Sequence, residues 1–161
     1  MKLDVRRLVT SVVCLGFVAC FASAAFAQAD SQIGTWKLNV AKSKYSPGPA
    51  PASAITKIEA AGAGTKVTVD QVGADGTKQH WEFTANYDGK DVPITGNPNA
   101  DTVARTRIDA NTVQTVSKKG GKIVATQIST VSSDGKTRTV TTKGTNAEGK
   151  PINNVAVYEK Q

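Results

Sequence analysis

Few side chains in this sequence carry the chemistry of catalysis. His80 is the only histidine, and it stands among polar residues with Glu82 two positions on. One imidazole beside one carboxylate, with no G-x-S-x-G turn anywhere, supplies no nucleophile and base that can be paired. Asp88 and Asp91 around Gly89 lack the ligand spacing of a calcium loop. Both cysteines, Cys14 and Cys20, fall in an N-terminal leader. Thiol catalysis, Cys-ligated zinc and iron–sulfur clusters are therefore excluded from the remainder. The chain reads as non-enzymatic and calls for no cofactor and no metal.

What remains is the chemistry of recognition. Trp36, Trp81, Phe83, Tyr87 and Tyr158 are the large aromatic candidates for an apolar ligand-binding wall, or for the filling of a packed interior. Arg105 and Arg107 are the candidate anion contacts, suited to a carboxylate or phosphate. They share a strand face with Val103, whereas Ala104, Thr106 and Ile108 share the other. The cost of burying two unpaired guanidinium groups favours the arrangement that leaves both arginines outside.

The elements that must position these residues are strands. From Ser31 onward apolar residues recur with period two, Val, Ile and Thr abound, and no amphipathic helix is apparent. Strands are expected at about 33–40, 54–60, 65–72, 77–87, 91–95, 101–108, 112–118, 122–131, 136–143 and 152–159. Asp75-Gly76, Asp88-Gly89, Gly120-Gly121 and Asp134-Gly135 mark tight turns between them. Pro47, Pro49 and Pro51 deny a regular ladder to the first long connection. The fourth segment is the most apolar, with Trp81, Phe83, Ala85 and Tyr87 on one face. About ten strands joined by short turns make an antiparallel up-and-down meander. Closing it into a barrel is the usual way to bury its edges. The expected fold is all-β, one barrel domain over residues 28–161.

Residues 1–27 read as a cleaved signal peptide. Lys2, Arg6 and Arg7 precede an apolar run over 8–21, and Ala25-Phe26-Ala27 is a small-residue cleavage site. The apolar run is short for a membrane span, and Phe17 replaces the Leu that usually precedes a lipid-modified cysteine such as Cys20. The expected location is periplasmic or extracellular, with no transmembrane domain in the mature chain. Outside the leader, 17 Lys and Arg face 12 Asp and Glu. The excess is concentrated in 101–145, where Arg105, Arg107, Lys118, Lys119, Lys122, Lys136, Arg138 and Lys143 stand against Asp101, Asp109 and Asp134. On neighbouring strands they would form one basic wall, either a solvated Lys-rich face or a docking surface for an anionic envelope. No aromatic residues interleave these charges as stacking platforms, so nucleic acid is not an expected partner.

Two short stretches carry a resemblance. Gly34-Thr35-Trp36-Lys37-Leu38 resembles the first strand of the calycin group, in the G-x-W of lipocalins and more closely the G-T-W-K-L of intracellular fatty-acid-binding proteins. Val157-Tyr158-Glu159-Lys160 resembles the V-Y-E-K ending of the fatty-acid-binding branch. The chain with its leader is also similar to small exported bacterial proteins of lipocalin-like type. The resemblance implies a lipocalin-like barrel closed by pairing its first and last strands, with a small apolar or amphipathic ligand in its lumen. Two departures stand out. The prolines occupy the place of the family's helical lid, and Ala156 stands where the family's closing strand has its anchoring Arg, although Tyr158 is kept.

Overall fold

The structure, a computed structural model, describes residues 30–146 and 149–161. The signal peptide expected over 1–27 lies outside the described residues. Ten strands follow in chain order: β1 (Gly34–Lys44), β2 (Ser53–Ala61), β3 (Gly64–Val72), β4 (Lys78–Asn86), β5 (Val92–Pro93), β6 (Thr102–Arg107), β7 (Thr112–Lys119), β8 (Lys122–Val131), β9 (Thr137–Thr145) and β10 (Pro151–Lys160). They form one antiparallel sheet in the order β4-β3-β2-β1-β10-β9-β8-β7-β6-β5. Consecutive strands are neighbours except β4 and β5. The one pairing between sequence-distant strands is β1 with β10, in a register that sets Trp36 opposite Lys160 and Leu38 opposite Tyr158.

The sheet curls until β4 approaches β6, and the barrel is nearly closed. The seam is thin. Glu82 and Thr95 exchange both backbone hydrogen bonds, at 3.0 and 2.9 Å, and the Gly89 amide donates to the Arg105 carbonyl at 2.8 Å. This ten-stranded meander is the lipocalin-like architecture that the terminal strands implied. Pro93 shortens β5 to two residues, because a proline has no amide for a ladder. The segment 45–52 contains no helix.

Period-two burial follows the sequence pattern. On β2, Ala54, Thr56 and Ile58 are buried between exposed neighbours. One core cluster, Trp36, Ile58, Val67, Val69 and Val131, packs with the half-buried Ile33, Trp81, Phe83 and Tyr158, and a second, Leu38, Ala54, Val140 and Ala156, packs against Tyr45 and Tyr158. β1 runs four residues beyond the expected 33–40. A bulge between Asn39 and Lys44 allows it, with the Ser43 hydroxyl donating to the Asn39 carbonyl at 2.7 Å and accepting the Val157 amide at 2.9 Å.

Candidate functional site

The barrel encloses a cavity of about 840 Å³. It is open at the end formed by the 45–51 strap, the 73–76 turn, the 97–100 loop and the β7–β8 and β9–β10 turns, residues of which line it. The other end is shut by the core and by residues 30–33. The interior is thus open space of ligand size rather than a filled barrel.

The lining has two sides. Strands β3 and β4 contribute Val67, Val69, Trp81 and Phe83, whereas β7, β8 and β9 contribute Thr115, Ser117, Gln127 and Thr142. At the deep end two arginines enter from the polar side, Arg105 of β6 and Arg138 of β9, exposed to 2% and 9%. The Arg105 Nη1 donates to the Thr65 hydroxyl, its guanidinium lies 4.9 Å from the centre of the Tyr87 ring, and its Nε is buried without a hydrogen-bond partner. Arg138 Nε donates to Ser129 Oγ at 2.7 Å, and its guanidinium sits 5.5 Å from the Tyr158 ring centre. Among the described residues no carboxylate forms an ion pair with either arginine. Burial lowers both pKa values, that of Arg138 to about 10, and each group remains a cation at neutral pH. The two charges repel one another.

Beneath this pair a second constellation holds the floor. Tyr87 donates to Asp30 Oδ2 at 2.5 Å, and Arg107 reaches the same oxygen at 2.7 Å, its guanidinium 4.0 Å from the centre of the Tyr87 ring. The Tyr87 ring is therefore approached by two guanidinium groups, that of Arg105, which lines the cavity, and that of Arg107, which does not. Burial opposes ionisation of Asp30, but the bonds from Tyr87, the Gln32 amide and Arg107 outweigh it and hold the carboxyl below its ordinary value. Gln32, fully buried, accepts from Ser129 Oγ at 2.9 Å, lies 3.4 Å from Arg138 Nε, donates to the Asn111 carbonyl at 2.8 Å and, through its own carbonyl, receives the Trp36 indole N–H at 2.9 Å.

Of the residues singled out by sequence, Trp81, Phe83, Tyr158 and Arg105 line the cavity. Trp36, Tyr87 and Arg107 do not. Trp36 has no exposed surface and packs in the core below the lumen, with the Lys160 ammonium 5.2 Å from its ring centre. Tyr87 and Arg107 belong to the floor. The expectation that both arginines of β6 face outward is corrected for Arg105, whose guanidinium finds a hydroxyl and an aromatic face inside. The basic wall of 101–145 is also broken up. Arg105 and Arg138 turn inward, Arg107 pairs with Asp30, Lys118 with Asp91 and Lys119 with Asp101. Arg138 was missed as a site residue, although Val140 and Thr142 on the same face carried the signal.

No family model matches the chain, and no curated protein matches it. Among solved structures, the chain is similar to the crystal structure of zebrafish ileal bile acid-binding protein complexed with cholic acid, with 13% sequence identity, a TM-score of 0.48, and coverage of 81% of this chain and 99% of that one.

Proposed function

We propose that the protein is a non-enzymatic carrier that holds a small amphipathic anion in its lumen. The acidic end would lie against Arg105 and Arg138, and the apolar body against Val67, Val69, Trp81 and Phe83. The observation that carries this reading is the pair of buried guanidinium groups sharing one cavity, neither with a carboxylate in ion-pair contact among the described residues. Two buried cations with no carboxylate in direct contact are costly to a fold, and an entering anion would supply that contact through strong, charge-assisted hydrogen bonds. The aromatic side of the lumen supports the apolar half of the ligand. The leader read over 1–27 supports a carrier exported from the cytoplasm, and N-terminal sequencing of protein from the cell envelope should then begin at Gln28.

The test is a fluorescence titration with an anionic probe, anilinonaphthalene sulfonate, beside an uncharged apolar dye. Arg105→Met and Arg138→Met should each weaken the anionic probe by about tenfold or more and leave the uncharged dye unaffected. Each variant leaves a buried hydroxyl, that of Thr65 or Ser129, without its guanidinium donor, so a fall in stability of about 1–3 kcal/mol is expected, and binding is compared well below the unfolding midpoints. Equal binding of the anionic probe by wild type and both variants would overturn the proposal.

A further inference from the structure

With three of its arginines drawn inward or into the floor, the surplus positive charge reappears elsewhere on the molecule. Lys44, Lys78, Lys122 and Lys143 are exposed and, among the described residues, form no ion pair. All four lie at the open end. Lys44 adjoins Tyr45, Lys78 adjoins Gln79, Lys143 adjoins Thr142 and Lys122 is two residues from Val124, and each of these neighbours lines the cavity. The carboxylates at that end are engaged locally. Asp101 takes Lys119 at 2.9 Å and the Gly120 amide at 2.7 Å, and Asp75 takes the amide and hydroxyl of Thr77. At the closed end Arg107 pairs with Asp30 and Lys90 with Asp88, whereas Lys136 and Lys160 are exposed there and likewise form no ion pair among the described residues.

The rim also carries apolar tips. Pro47, Pro49 and Pro98 are exposed, and Ile123 is the most exposed large hydrophobic residue, at 62%. Isolated exposed apolar residues need no explanation, but here they share the mouth of a cavity with cations that have no ion pair. A polysaccharide or nucleic acid would answer the charges and leave the apolar tips in water. A lipid surface rich in anionic headgroups answers both, drawing in the ammonium groups and admitting proline and isoleucine side chains to its interface.

We infer that the open rim of the barrel is a docking surface for an anionic lipid bilayer, approached mouth-first. The lumen then faces the membrane when the protein is bound, and docking does not depend on whether the lumen is loaded. It differs from the flat wall over 101–145, because Lys44 and Lys78 lie outside that stretch and because the wall's own arginines are not available.

Sedimentation of the purified protein with lipid vesicles tests the inference. Binding is expected to vesicles containing about 30% phosphatidylglycerol and not to pure phosphatidylcholine, and it should fall as salt rises from about 0.05 to about 0.5 M. The combined change of Lys44→Glu, Lys78→Glu, Lys122→Glu and Lys143→Glu should reduce the partition coefficient by more than about tenfold. Ile123→Ser should reduce it severalfold with the charges intact. Lys37→Glu with Lys136→Glu, away from the rim, should leave it unchanged. Each substitution is at an exposed position, so circular dichroism should show the wild-type fold. Full binding by the rim variant, equal binding to neutral vesicles, or an unaltered partition in Ile123→Ser with equally tight binding to soluble polyphosphate would each overturn it. The last result would point to a polyanion rather than a membrane.

Discussion

Arg105 shows how a side chain expected outside can be held inside without an acidic partner beside it. Its charge is spread over the Thr65 hydroxyl and the face of Tyr87, and Tyr87 is itself fixed by Asp30. Asp30 is the acidic member of the floor, and its carboxyl is depressed in the folded state. A depressed carboxyl contributes stability that is present above the unfolded value, near 3.8, and disappears as pH falls through the folded one. Asp30→Asn should therefore cost about 1–2 kcal/mol at pH 7, and the gap from wild type should narrow as pH falls below 3.8 and through the depressed folded value. Urea unfolding at neutral pH and in acid measures it, and a gap that persists unchanged in acid would refute the assignment. The sequence left this cluster unread because Asp30 and Arg107 lie 77 positions apart and only barrel closure brings them together. The face of β6 was undecidable from pattern alone. Ala104 is buried beside Arg105, and Ile108 is more than half exposed, so neither alternation of the strand is cleanly apolar.

At the scale of the elements, the strands were legible because their signals are local. Turn glycines and period-two alternation placed all ten, with most ends within two residues of those observed. The longest miss, at the end of β1, is a bulge, whose extra residues interrupt the alternation that would reveal it. Closure at β4 and β6 was less legible, because few backbone bonds make it and none belongs to a hairpin. Gly96 is central there. It has a φ of +83°, and a β-carbon would run into the His80 carbonyl. Gly96→Ala should open the Glu82–Thr95 bridge, cost about 1–3 kcal/mol and speed amide hydrogen exchange at Glu82 and Thr95 by about tenfold or more. Exchange measured on β7–β9 should change far less. Uniform acceleration across the barrel would mean that the seam does not open separately.

At the scale of the whole molecule, the barrel holds two arginines at the bottom of its lumen and four exposed lysines without ion pairs, Lys44, Lys78, Lys122 and Lys143, at its mouth. Composition reported the surplus, and the run of basic residues suggested where it lay, but a linear count cannot tell the inside of a wall from its rim. The sheet order holds one more consequence, and it concerns time rather than place. Read from β5 around to β4, the ten strands follow in an unbroken series, and the described ends of the chain meet in the middle of it, where the Gln161 amide bonds to the Thr35 carbonyl. Every hairpin can form locally, but β1 must find β10 across more than a hundred residues, an encounter that carries the loop-closure entropy of almost the full chain. Joining Gln161 to Asp30 through a short linker and starting the chain at Asp91 would turn that search into one more hairpin and leave every strand pairing of the sheet intact. Such a rearranged chain should fold several times faster in stopped-flow refolding, with its unfolding rate little altered. If its folding rate is the same, the meeting of β1 and β10 is not the slow step, and the order in which this barrel assembles begins somewhere else.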